Sequence, residues 1–387
     1  MHPPNARPEV LGLRTSKIRE VANAAWGREE VLTFWFGESD RPTPSFIRDA
    51  ATQALSEGRT FYTHNLGTAE LRGALTGYLS DLHSVTIGDS RVAVTNSGVN
   101  ALMIAAQAVI SPGDRVVVVT PVWPNVMEIP RILSAHMEAV SLEPAQGRWQ
   151  LDLDRLLEAL APGTKALFLN SPNNPTGWTL PGEDRAAILA RCRELGIWLI
   201  ADDVYERLTF GPDVSAPSFL PLADENDRLI STNSFSKAWR MTGWRVGWMV
   251  LPPALRDPVG VLLEYNTSCA PDFVQTAAAT ALRCGAAHVA ELREELTAAR
   301  DQVLGALRQM PGVEAPEPQG GMYAFFRIAG CTDSVALAKQ LIDEAAIGLA
   351  PGAAFGDEGE GWLRWCFAHR PEKNAEGLRR LAAFLAA

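Results

Sequence analysis

Through the middle of the chain, short unbroken apolar runs alternate with stretches whose apolar residues recur every three or four positions. The runs at 115–119, 165–169, 197–201, 228–231 and 246–251 are four to six residues long. That length fits buried strands better than helices. Between and before them, Phe46, Ile47, Ala50, Ala51 and Ala54 line up on one helical face, as do Leu71, Ala74, Leu75, Tyr78, Leu79 and Leu82. Thr43-Pro44 reads as a cap with Pro at the first helical position. The alternation is the mark of βαβ units and predicts an α/β chain with a mainly parallel sheet flanked by helices. From 273 onward the pattern turns helical, with a charged amphipathic helix over about 287–309. A compact tail follows: Met322-Tyr-Ala-Phe-Phe, a helix near 334–346, a strand around Arg364 and a last helix from about 371. At 387 residues the chain is long enough for two domains. The expected division is a large α/β domain over 40–285 and a smaller α+β domain combining 1–39 with 286–387.

Residues 92–113 carry no charge, yet they include Thr95, Asn96, Ser97, Asn100 and Gln107 and close on Pro112-Gly113. A membrane span needs about 20 predominantly apolar residues, so this stretch reads as a buried strand, turn and helix. A net charge of −10 and the lack of any basic run argue against a general nucleic-acid binder. Five scattered cysteines, with no CxxC pair, suit reduced thiols better than a disulfide framework. The N-terminus, Met1-His-Pro-Pro-Asn-Ala-Arg-Pro8, has no apolar signal core, and a cytoplasmic protein is expected. The six histidines have no metal-ligand spacing, so no metal is expected.

Among 35 basic residues only five are lysines, at 17, 165, 237, 339 and 373. Arg serves wherever a plain charge will do, which makes Lys237 in Ser234-Phe-Ser-Lys-Ala-Trp-Arg-Met-Thr-Gly-Trp-Arg245 a residue to explain. An amine, unlike a guanidinium, can lose its proton near neutral pH and attack a carbonyl carbon. Ser234 and Arg245 would suit a phosphate, one through a hydroxyl and the other through a bidentate fork.

This Ser-x-x-Lys followed by Gly-Trp-Arg-x-Gly resembles the lysine segment of the fold-type I, class I/II aminotransferases, which use pyridoxal 5'-phosphate. Asn170-Ser-Pro-Asn-Asn-Pro-Thr-Gly177, Ala201-Asp-Asp-Val-Tyr205 and Leu363-Arg-Trp-Cys-Phe-Ala368 agree with it in the family's order. The similarity runs from about Gly37 to the C-terminus. It implies a large domain built on a mainly parallel seven-stranded sheet, a smaller domain, and transfer of an amino group from an L-amino acid to a 2-oxo acid through a Lys237 Schiff base.

Several residues carry two readings. Asp202 ends a strand and could simply cap the next turn; by resemblance it is the anion beside the cofactor's pyridine nitrogen, keeping that ring protonated. Asp203 is then its solvated or structural neighbour, and Tyr205 either donates to the cofactor's phenolic oxygen or is a core tyrosine. Asn173-Asn174-Pro175-Thr-Gly177 is a turn by composition alone, but a turn after a parallel strand lies where open α/β sheets bind ligands. There the resemblance gives Asn174 a bond to the cofactor ring oxygen and a contact with the substrate carboxylate. Ser97-Gly98-Val99-Asn100 opens a helix whose free N–H groups invite a phosphate; with Val99 in place of the family's frequent Thr or Lys, contact there is through backbone. Trp123 matches the aromatic residue that stacks on the ring, against packing as one of 11 tryptophans. Arg364, in an apolar strand, must meet an anion: a structural salt bridge, or the α-carboxylate of an amino acid held in a bidentate fork. Gly37 matches a glycine that lets backbone approach substrate, and Tyr62 a tyrosine that reaches the phosphate of the neighbouring subunit, implying a homodimer.

Three other functions compete. A serine acyl enzyme would share Ser-x-x-Lys but needs Ser-Asp-Asn and Lys-Thr-Gly partners, which the chain lacks. A β-lyase would use the same lysine, aspartate and arginine, releasing pyruvate and ammonia without an acceptor. A non-catalytic, cofactor-sensing regulator would need a DNA-binding domain for which the N-terminal arm is too short. The donor's side chain is not readable, though Trp35, Phe36 and Met322-Tyr323 lean toward apolar or aromatic amino acids, with 2-oxoglutarate or pyruvate as acceptor on family grounds.

Overall fold

Seven of the apolar runs pair into one sheet in the computed structural model, which describes residues 5–386; the start of the N-terminal segment read above, residues 1–4, lies outside the described residues. In chain order the strands are β1 (Val92–Thr95), β2 (Arg115–Thr120), β3 (His136–Ser141), β4 (Thr164–Asn170), β5 (Trp198–Asp202), β6 (Leu229–Ser234) and β7 (Gly247–Val250). Across the sheet they run β1-β7-β6-β5-β4-β2-β3. All neighbours are parallel except at β7, which is antiparallel to β1 and β6. Strands β1, β6 and β7 are buried at every position, as expected of strands covered on both faces, which show apolar runs rather than alternation.

Strand order reverses between β4 and β2: β5 and β6 extend to one side, β3 to the other. A crevice at the carboxyl ends of the strands opens at such a point. Asn170, Asp202 and Ser234 are the last residues of β4, β5 and β6, so the topology delivers three polar side chains to one edge.

A second sheet is antiparallel and four-stranded: β8 (Val313–Glu314), β9 (Tyr323–Ile328), β10 (Ala350–Pro351) and β11 (Trp362–Cys366), in the order β8-β9-β11-β10. Register places Arg364 of β11 opposite Phe325 and Ala350. The long helix Ala286–Leu307 and the last helix Pro371–Ala386 pack together on this part. The helix expected behind Thr43-Pro44 runs Ser45–Ser56 with Pro44, not Thr43, at its cap. Thr43 instead donates to Arg240 O at 2.5 Å and accepts from Trp244 Nε1 at 2.9 Å, tying the chain before that helix to the Lys237 loop. No described helix is long and apolar enough to cross a membrane.

Candidate active site

One cavity of about 780 Å³ opens at the strand ends, between the two sheets and the N-terminal arm. A cavity of this size holds a drug-sized ligand with little room to spare. Lys237, Asp202, Tyr205 and Asn174 border it, as do Ser234 and Arg245. So do Gly37, Gly98, Val99, Trp123 and Arg364, which brings together residues 327 positions apart in the chain. Two of the residues expected there are absent from its wall. Ser97 lies just behind, its hydroxyl capping the helix Gly98–Val109 by accepting from Asn100 N at 3.0 Å. Tyr62 points away, 90% exposed.

Lys237 follows β6 directly. Its Nζ donates to Gly37 O, and it lies 5.8 Å from the centre of the Tyr205 ring. Burial brings its ammonium down to about 8, and Arg364 and Arg245 add repulsion in the same direction. A neutral amine is therefore accessible near physiological pH, which is what nucleophilic attack and proton transfer require.

Asp202 is buried with little to hold its charge: Val204 N donates to Oδ1 at 3.4 Å, and the only helpful charge nearby is Lys237. Desolvation pushes its carboxyl up to about 7. A buried carboxylate so poorly paired is a place for a cation. Asp203 is buried too, not solvated; its carboxylate accepts from Ser231 Oγ at 2.6 Å and faces away with Glu206. Asn170 fixes the neighbourhood, donating from Nδ2 to Asp202 O at 3.0 Å and accepting Asn174 N at 2.8 Å.

Arg364 is 2% exposed and meets no carboxylate. Nη1 donates to Asn174 Oδ1 at 2.7 Å, Nη2 donates to Trp35 O, and Nε has no partner. The guanidinium lies 4.3 Å from the centre of the Tyr323 ring and 4.8 Å from that of Phe355. The salt-bridge reading thus finds no acid among the described residues; neutral acceptors and rings hold the cation beside open space, with capacity left for an anion.

Opposite, the start of helix Gly98–Val109 meets the β6–β7 connection. A side chain at Gly247 would come within 2.6 Å of Asn233 O and 2.8 Å of Gly98 N, and one at Gly98 within 3.1 Å of Ser234 Cβ. Two glycines therefore let a helix N-terminus close on the Ser234 hydroxyl. Arg245, in the left-handed region at φ 53°, turns its guanidinium to Thr242 O at 2.6 Å and has no acidic partner among the described residues. N–H groups, a hydroxyl and a guanidinium on one wall make a fit for phosphate, while Asp202 on the opposite wall fits a protonated ring nitrogen. Trp123, half-buried at the cap of Pro124–Ile132, borders the space between them.

Tyr323 is the site residue that sequence reasoning passed over. Its hydroxyl shares a 2.6 Å hydrogen bond with Tyr205 OH, and burial pushes it up to about 12. It also explains Gly37: a Cβ there would lie 1.9 Å from Tyr323 OH. The N-terminal segment Arg14–Arg19, likewise unforeseen, closes one side of the cavity.

The family model for "Aminotransferase class I and II" matches residues 30–381. An aspartate aminotransferase of Pyrococcus horikoshii is 33% identical over 96% of this chain and 95% of its own length. An aromatic-amino-acid aminotransferase of Thermococcus litoralis is 31% identical over 96% and 95%. The crystal structure of the Thermotoga maritima aspartate aminotransferase superposes with a TM-score of 0.91 at 30% identity, covering 99% of this chain and all of that one. On this sequence match and on the shared fold, the chain belongs to the class I and II aminotransferases and is a pyridoxal phosphate-dependent enzyme.

Proposed function

We propose that the cavity exchanges an amino group between an L-amino acid and a 2-oxo acid, with Lys237 as its reacting group. The observation that carries this reading is the meeting of a buried amine, an uncompensated buried carboxylate and an acid-free buried guanidinium in one space. Pyridoxal phosphate would be held by the Gly98–Val99 N–H groups, Ser234 and Arg245 at its phosphate, by Asp202 at its ring nitrogen, and by Tyr205 and Asn174 at its ring oxygen, with Trp123 on its face. When bound, the cofactor supplies the electron sink that makes an amino acid's α-proton removable.

The chain's own groups do the rest. Arg364 fixes the α-carboxylate through a fork that Asn174 and Trp35 O already orient. Lys237 Nζ, neutral once out of its covalent attachment, takes the proton from the substrate Cα; general-base catalysis of this kind is worth about 10²–10⁴-fold. Tyr323 keeps the Tyr205 hydroxyl turned toward the site. In this reading residues 40–285 hold the cofactor and 1–39 with 286–387 close over the substrate, in a cytoplasmic enzyme. A panel of amino donors, including aspartate, glutamate and phenylalanine, with 2-oxoglutarate and pyruvate as acceptors, should yield the donor's oxo acid in step with acceptor amination. Pyruvate and ammonia formed from a cysteine-like donor without any acceptor would instead make the chain a lyase.

A homodimer is part of the proposal. Phe61, Tyr62 and Tyr265 are 82%, 90% and 85% exposed, and Asn65 Nδ2 to Gly260 O at 2.8 Å ties their two segments into one surface. Large exposed aromatics in one patch mark an interaction surface. The patch adjoins the cavity through Asn100, which donates to Asn266 Oδ1 at 2.9 Å. Sedimentation should give a dimer, and Phe61→Ser with Tyr265→Ser should shift it toward monomer; a monomeric wild type would remove Tyr62 from any site.

A further inference from the structure

Charge accounting around the cavity leaves two cations without a task. Its wall carries seven Lys or Arg side chains against two carboxylates. Arg14 is engaged by Asp357 at 2.9 Å and Arg131 by Glu128 at 2.5 Å. Arg245, Arg364 and Lys237 are taken by the phosphate, the α-carboxylate and the chemistry in the reading above. Lys17 and Arg19 remain, and among the described residues no carboxylate lies within 4.0 Å of either. The acids nearest in space are committed. Glu20 is held by Lys339 at 2.6 Å, and Glu360, which feels the charge of Lys17, accepts from Ser334 N at 2.7 Å and Gly361 N at 2.8 Å.

Both cations are firmly placed. Ser16 caps the helix Lys17–Ala24, its hydroxyl accepting from Arg19 N at 3.3 Å, and Ile18 and Val21 anchor that helix in the core. Arg19 holds its guanidinium 5.9 Å from the centre of the Phe36 ring, an aromatic platform that suits a planar cation. Phe36 lies between two residues of the reaction: Trp35, whose carbonyl accepts from Arg364, and Gly37, whose carbonyl accepts from Lys237. The strip Trp35-Phe36-Gly37 therefore carries the first carboxylate's partner on one side and a second, acid-free guanidinium on the other.

We propose that Arg19, assisted by Lys17, receives the distal carboxylate of the substrate, so that this chain prefers dicarboxylic amino and 2-oxo acids to monocarboxylic ones. This rests on the reading of Arg364 as the partner of the first carboxylate. The apolar surfaces of Trp35, Phe36 and Trp123 between the two cations cover the intervening carbons.

Glutarate and butyrate differ in the second carboxylate alone, and their binding to the holoenzyme can be compared by titration calorimetry. The wild type is expected to bind glutarate at least about tenfold more tightly. Arg19→Gln should cut that ratio by about tenfold, Lys17→Gln should cut it less, and Arg19→Lys should restore part of it. Because Arg19 is exposed, these variants keep the fold, and the ratio is insensitive to a general loss of structure. A wild-type ratio near one, or a ratio that Arg19→Gln leaves intact, overturns the proposal. Arg364→Ala separates the two layers: it should weaken both acids. If the wild type binds neither acid, the carboxylate reading of Arg364 falls, and this proposal with it.

Discussion

Lys237→Ala is expected to lower turnover by at least about 10⁴-fold, the upper end of what a positioned general base supplies, because the variant loses covalent retention of the cofactor as well as the proton carrier. No neighbour can substitute. The other amine-bearing wall residue, Lys17, is on the N-terminal arm, and Arg364 and Arg245 stay protonated. The wild-type group brings its own pH signature. Burial depresses its pKa to about 8, so the neutral fraction grows as pH rises through that value. The rate at which apoprotein takes up pyridoxal phosphate, followed by absorbance, should climb between pH 7 and 9 and then level. Mass spectrometry after borohydride reduction should place the label on Lys237. Label on another residue, or an uptake rate flat across that range, would remove Lys237 from the centre of the chemistry.

How far such a site could be seen in advance depended on whether a residue's setting was local. The strands behind Asn170, Asp202 and Ser234 were legible because burial on both faces leaves unbroken apolar runs. Their meeting at one edge follows from parallel order, which the βαβ alternation predicts. The reversal of β7 was not legible, since an antiparallel strand buried on both faces has the same composition as a parallel one. Arg364 drew notice because a guanidinium in an apolar strand costs so much. Its neutral partners, Asn174 and the Trp35 carbonyl, lie 190 and 329 residues away and left no local mark. Tyr323 escaped for the same reason: one more aromatic in an apolar run, it is set apart by a hydroxyl contact with Tyr205, 118 positions earlier. Gly37 was noticed for one reason and is required for another, the clearance of Tyr323 OH. The part of the arm that closes the cavity was hidden because Arg14, Lys17 and Arg19 read as solvated surface until the fold lays them over the strand ends.

Asp202→Asn should divide stability from function. The amide keeps the shape of the carboxyl but carries no charge for a ring nitrogen to meet. Removing one preorganised electrostatic partner of a transition state costs about 10²–10³-fold, and turnover should fall by that much. The apoprotein should respond in the opposite sense. Desolvation raises the folded pKa of Asp202 from 3.8 to about 7, so the folded state still binds a proton where the unfolded chain has released it. Stability is thereby lost as pH climbs from the unfolded value to the folded one, a cost on the order of 4 kcal/mol when complete. Asn pays none of it. Thermal melting of the two apoproteins should show the variant more stable at pH 8, with the gap narrowing by pH 5, where wild-type Asp202 is already protonated in the fold. Pyridoxal phosphate should reverse the ranking, because its ring would supply the missing cation to the carboxylate and not to the amide. A variant less stable at every pH, or a gap that ignores pH, would mean that Asp202 is already satisfied within the fold and has no charge to offer a cofactor.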